Sequence, residues 1–179
     1  MDIHDEIGEL VDGVDPIVET ETNVVTADEF REIEEFLQGT RNCTVGGLVY
    51  NDEGELLLLK HAGEPGWLQP GGMVERGESL EAALEREIRE ETGVDAAVED
   101  PFFVRRGEYV SEEAEITWYS TLFFAEAIAP SIGTELGLED EEIVAAQWFP
   151  ELPAQLHELA SRERFRKAMR EINSRRSDG

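Results

Sequence analysis

Apolar and polar positions along this chain repeat with two distinct periods. Two β-rich segments run from Cys43 to Tyr50 and from Glu55 to Lys60, and Asn51-Asp52-Glu53-Gly54 between them has the composition of a hairpin turn. Leu56 to Leu59 is apolar without interruption, the pattern of a strand covered on both faces. Further strands are predicted over Ala96 to Val98, Phe102 to Arg106, Ile116 to Ala127 and Ile143 to Phe149. The period changes at Ser79. There Leu80, Leu84 and Ile88 recur every fourth residue, Ser79 is placed to cap the first turn, and Gly93 is placed to end the last. A second helical stretch spans Leu152 to Ile172, with Leu156, Leu159, Phe165, Met169 and Ile172 as its inward side. Residues 1–40 read as acidic helical pieces broken at Gly13 and Pro16. In them Thr26 to Glu29 form a capping box, and Phe30, Ile33, Phe36 and Leu37 repeat up to Gly39. That last helix packs on the domain or forms a homodimer contact. Strands flanking one central helix, with helices at the end, predict an α/β class of fold in helix, mixed sheet and helix layers.

The central helix carries the chemistry. At about 100° per residue, Glu85 and Arg89 face solvent, Glu91 falls within the apolar stripe, Glu87 lies beside it and Glu90 is near its border. Carboxylates held against a low-dielectric surface repel one another until they bind protons or a cation. Glu87, Glu90 and Glu91 offer hard oxygen ligands from one turn, which suit Mg²⁺ or Mn²⁺ together with waters and phosphate oxygens. Arg86, four residues before Glu90, can hold one carboxylate by a forked hydrogen bond.

Gly72 to Val94 resembles the Nudix box, G-x5-E-x7-R-E-U-x-E-E-x-G-U with U aliphatic. Every fixed position is filled, by Gly72, Glu78, Arg86, Glu87, Ile88, Glu90, Glu91, Gly93 and Val94. The preceding segment, with Trp67, Pro70, Gly71 and Gly72, is similar to the Trp-x-x-Pro-Gly-Gly that leads into the box in that family, while Gln69 departs from the apolar residue many members carry. The resemblance implies a Nudix-type α/β/α sandwich with a catalytic loop-helix-loop over residues 41–179, preceded by an extension over 1–40. It also implies Mg²⁺-dependent hydrolysis of a nucleoside diphosphate linked to another group X. In that scheme the Gly71 carbonyl joins Glu87, Glu90 and Glu91 on the metal, Glu78 supports the metal shell and Arg86 orients the carboxylates. The general base is a box glutamate or a carboxylate of the distal segment 138–142, with Glu141 and Glu142 as its candidates. Tyr109 resembles the pattern of dinucleoside polyphosphate hydrolases. A Nudix-like sensor that binds a nucleotide metabolite without turnover is the alternative; such domains tend to lose box carboxylates, and none is lost here. A Nudix-fold isomerase of isoprenoid diphosphates would depart from the box and use a catalytic cysteine and glutamate; Cys43 could supply the thiol, but the complete box counts against that reading.

Composition narrows the partners. The 179 residues carry a net charge of -27, and among the basic residues only Lys60 and Lys167 are lysines. Such a surface predicts adaptation to high salt, where self-repulsion is screened. It also argues against nucleic-acid partners, whose binding relies on Lys and Arg displacing counterions. The expected partner is a small nucleotide-type substrate. The first residues lack a basic and then apolar signal pattern, and no run approaches a membrane span, so a cytoplasmic protein is expected. With Cys43 alone, neither an intramolecular disulfide nor a multi-thiolate metal site can form.

Overall fold

The computed structural model describes residues 2–137 and 143–177. In chain order the elements are helix α1 (Ile3–Val11), strand β1 (Ile17–Val24), α2 (Ala27–Leu37), β2 (Thr40–Tyr50), β3 (Leu56–His61), β4 (Gly71–Glu75), α3 (Leu80–Thr92), β5 (Asp95–Val110), β6 (Glu115–Ala129), β7 (Ile143–Phe149) and α4 (Arg162–Ser177). The strands form one sheet in the order β1-β5-β6-β2-β3-β7, with β4 paired to the other end of β2. It is mixed: β1 runs parallel to β5 and β2 parallel to β6, while the remaining neighbours are antiparallel.

The two-residue period of the strands divides the core into two. Val45, Val49, Leu57, Tyr119 and Phe123 point to one face, where they meet α1 and α3. Leu48, Leu56, Leu58, Leu122 and Phe124 point to the other, where they meet α4 through Phe165, Ala168 and Ile172. Leu56 to Leu59 are all fully buried because helices and connecting segments cover both faces. At about 1.5–3 kcal/mol for each large side chain removed from water, these two layers hold the helices on the sheet. The hairpin at Asn51 closes as its composition predicts, with the Gly54 amide donating to the Asn51 carbonyl.

Four expectations are corrected. Residues 17–24 are not helical: IVETETNV is an edge strand in eight-residue register with β5. Its alternation is between β-branched residues and glutamates, so no apolar period marks it, and charges suit an edge exposed to solvent. The two strands expected over 96–98 and 102–106 are one, β5, with register shifts on both sides of Pro101. Gly71–Glu75, which falls in the first loop of the implied loop-helix-loop, pairs with β2 as a short strand. Helix α4 begins at Arg162 rather than near 152, since Pro153 interrupts the segment and its backbone is engaged with Trp67 instead. Leu159 accordingly lies outside the helix and is 74% exposed. Of the α2 stripe, Phe30 is buried, Ile33 and Leu37 are half-buried, and Phe36 is exposed.

Candidate active site

Helix α3 is fixed at both ends. The Ser79 hydroxyl accepts from the Ala82 amide at 3.2 Å, and the Leu80 amide donates to the Glu6 carboxylate of α1 at 3.3 Å. At the other end Gly93 adopts φ 72°, and its amide donates to the Arg89 carbonyl at 2.9 Å. A Cβ there would also fall 2.8 Å from the Gly133 backbone, so glycine is required twice over. Leu80, Leu84 and Ile88 are fully buried, and the wheel places the acids as the sequence predicts: Glu87 is 6% and Glu91 4% exposed.

One arginine organises the acids. Arg86 donates from Nε to one oxygen of Glu78 at 2.8 Å and from Nη2 to the other at 2.9 Å, a forked pair. Its Nη1 reaches Glu87 at 2.7 Å and Glu90 at 3.2 Å, and Nη2 also donates to the Met73 carbonyl at 3.2 Å. The Arg86 hydrogen bonds hold the Glu78 carboxyl below its usual range, and that pairing in turn raises the guanidinium. Glu91 turns toward the backbone strand and accepts from the Gly71 amide at 2.7 Å. The Glu87 carboxyl packs so closely on Gly72 that a Cβ would sit 2.5 Å from it. Gly71, Glu78, Arg86, Glu87, Glu90 and Glu91 are thus brought together where β4 meets α3. Among the described residues no three Asp, Glu, His or Cys side chains converge as a ready cage, because Glu87 and Glu90 are drawn to Arg86 and Glu91 to Gly71.

A model of the NUDIX domain matches residues 40–172, well over half of the chain. The chain belongs to the Nudix family. It is 30% identical over 122 residues to the 8-oxo-dGDP phosphatase of Danio rerio, covering 65% of this chain and 35% of that protein. It is 49% identical over 51 residues to a putative 8-oxo-dGTP diphosphatase of Bacillus subtilis, covering 28% of this chain and 34% of that protein. The chain spans about a third of the length of these curated relatives. Among solved structures it is similar to a UDP-X diphosphatase, with TM-score 0.53 and 22% identity over 81% of this chain and 71% of that one. A Nudix-family hydrolase of Clostridium perfringens gives TM-score 0.55 at 16% identity, over 74% of this chain and 97% of that one. These structural likenesses show a shared Nudix fold.

Sequence reasoning missed Glu6 and Arg41, which tie α1 to this Nudix site. The Arg41 guanidinium pairs with Glu6 at 2.6 Å and donates to the Glu78 carbonyl at 2.7 Å. Nothing local in the sequence marks either residue, since the contacts cross 35 to 74 positions. The segment with Glu141 and Glu142 lies outside the described residues. Tyr109 stacks on Trp118, with centroids 6.0 Å apart and planes at 18°. Cys43 is buried in the core, and burial pushes its thiol up to about 12.

Proposed function

We propose that the chain is a Mg²⁺-dependent pyrophosphohydrolase that cleaves a nucleoside diphosphate linked to a further group X. The observation that carries this reading is Arg86 gathering Glu78, Glu87 and Glu90 beside the Gly71-Gly72 backbone, with Glu91 on the Gly71 amide. The donor set is chemically suited to Mg²⁺, or to Mn²⁺, because every member is a hard oxygen and two of the carboxylates are buried. Glu87, Glu90, Glu91 and the Gly71 carbonyl would hold the ion. Bound there, it would neutralise the diphosphate and lower the pKa of a coordinated water.

The chain's own residues supply the positioning. Arg86 sets the approach of Glu87 and Glu90, and Glu78 holds Arg86 from the opposite side, so the metal-facing carboxylates depend on a pair that does not itself touch the ion. Gly71 and Gly72 let strand and carboxylate close up on each other: a Cβ at Gly71 would meet the Val45 carbonyl at 2.2 Å, and one at Gly72 the Glu87 carboxyl at 2.5 Å. In the reaction a water oxygen bonds to phosphorus, the bridging P–O bond breaks and the departing phosphate keeps the electron pair. A box glutamate, or Glu141 or Glu142, takes the water's proton. The names of two relatives put oxidised guanine nucleotides first among substrates to try. The buried, high-pKa Cys43 lends no support to thiol chemistry of the isomerase kind.

Residues 1–40 are proposed as an appended segment that braces the domain, a reading supported by the match beginning at residue 40. High-salt adaptation is inferred from the net charge of -27.

The test is a panel of nucleoside triphosphates, oxidised nucleotides, dinucleoside polyphosphates and nucleotide sugars, assayed for nucleotide and phosphate release with Mg²⁺ and with EDTA. Release that EDTA abolishes is the expected result. Nucleotide binding without release from any member would instead favour the sensor.

A further inference from the structure

On the sheet face opposite α3, a cavity of about 330 Å³ borders Gly71 and Gly72 and extends to the first turn of α4. Two arginines enter it, in a chain where 42 acidic residues face 15 basic ones. The guanidinium of Arg164 lies 4.2 Å from the centre of the Phe103 ring, and that of Arg105 lies 5.6 Å from the same ring. Arg105 is drawn to Glu19 at 3.0 Å and Glu21 at 3.7 Å, yet its buried Nε makes no hydrogen bond. Arg164 makes no ion pair among the described residues, unlike Arg105 beside it in the same cavity. Desolvation pushes the Arg164 guanidinium below its usual range, with the attraction of Glu19 opposing that shift and repulsion from Arg105 adding to it. The side chain of Gln69 also lines the cavity, and its buried Oε1 receives no hydrogen bond.

A neutral ligand would leave the Arg164 charge with only the longer-range attraction of Glu19 and no ion-pair partner. An oxyanion presents two oxygens that match the planar guanidinium fork, while stacking on Phe103 keeps the fork's edges free. A hydroxyl on the same ligand would donate to the orphaned Gln69 oxygen. We propose that this cavity is an anion subsite for a hydroxylated, phosphate- or carboxylate-bearing part of group X, with Arg164 as its main contact, Arg105 as its second and Gln69 holding a hydroxyl. The ligand's identity as part of X rests on the pyrophosphohydrolase reading; the subsite itself does not.

The experiment is calorimetric titration of the full chain in EDTA at fixed ionic strength with ribose 5-phosphate, glucuronate, inorganic phosphate and ribose. Binding of ribose 5-phosphate and glucuronate but not ribose is expected, the ratio of the first two telling phosphate from carboxylate. Arg164→Gln should weaken ribose 5-phosphate about tenfold or more, and Arg164→Lys, which keeps the charge, should weaken it less. Gln69→Leu should weaken ribose 5-phosphate while leaving inorganic phosphate unchanged. Equal binding of ribose, unchanged affinity in Arg164→Gln, or no binding of any anion overturns the proposal. Should near-ultraviolet circular dichroism show that Arg164→Gln does not fold, Arg164→Lys and Arg105→Gln carry the same test. Anion binding without nucleotide hydrolysis would keep the subsite and sink the proposed activity, and hydrolysis without anion binding would do the reverse.

Discussion

Glu6 and Arg41 form an ion pair of 2.6 Å in which the two side chains are only 15% and 13% exposed. The pair joins a helix that precedes the family domain to the loop that holds Glu78, since Arg41 also donates to the Glu78 carbonyl and Glu6 also accepts from the first amide of α3. Removing one partner leaves the other's charge poorly solvated. Glu6→Ala is therefore expected to destabilise the fold by about 1–3 kcal/mol, read by urea denaturation. Glu6→Gln keeps an acceptor for the Leu80 amide and loses the charge, so its loss should be smaller. Equal stability of wild type and Glu6→Ala would show that α1 is not coupled to the site.

Glu90→Gln and Glu91→Gln are each expected to lower kcat by about 100-fold or more, the scale for removing a group that stabilises charge in the transition state. Far-ultraviolet circular dichroism should match wild type for Glu90→Gln, whose side chain is part-exposed. Turnover near the wild-type rate in both variants would remove these glutamates from the metal set.

The acid limb of stability should carry the signature of Glu78. Its carboxyl is held below the usual range by Arg86, so the folded state binds this proton less readily than the unfolded chain. The stabilisation is present above the unfolded carboxyl pKa of about 4.3 and is lost as pH falls through the lower folded value. Glu78→Gln has no such proton to take up. Its Tm should start lower at pH 6, by an amount matching about 1 kcal/mol for a part-exposed pair, and should fall less than that of wild type between pH 5 and pH 3. Parallel Tm curves would mean that the pairing with Arg86 contributes nothing in solution.

The net charge of -27 sets the expected response to salt. Screening shortens to about 3 Å at molar ionic strength, which relieves repulsion among exposed carboxylates while affecting the more sheltered Glu6–Arg41 pair least. Tm should therefore rise between millimolar and molar KCl. A Tm that is flat across this range would count against high-salt adaptation.

The α3 site was legible because its contrasts are local: against apolar Leu80, Leu84 and Ile88 at every fourth residue, Glu91 falls within the stripe, Glu87 beside it and Glu85 on the opposite, solvated side, which defines the acids that point inward. Strand β1 was not, because its alternation of glutamate with Thr and Val has no buried face to announce it, and its strand identity comes from β5, more than eighty residues away. The start of α4 was misjudged for a similar reason: the backbone of 155–157 is claimed by Trp67, a contact no periodicity records. What reads from sequence is the part whose partners lie within one or two turns; Glu6, Arg41 and Arg164 acquire their surroundings only when distant segments meet.

The parallel pairing of β1 with β5 has a consequence for the order of folding. Eight residues near the start of the chain must wait for partners from Phe103 to Val110 before any of their sheet hydrogen bonds can close. During synthesis β1 is therefore made long before it can be used, and closure of so large a loop is slow relative to formation of α3 or the Asn51 hairpin. The edge strand should be the last part of the sheet to acquire protected amides in pulse-labelled hydrogen exchange, after the helix that carries the glutamates already exists.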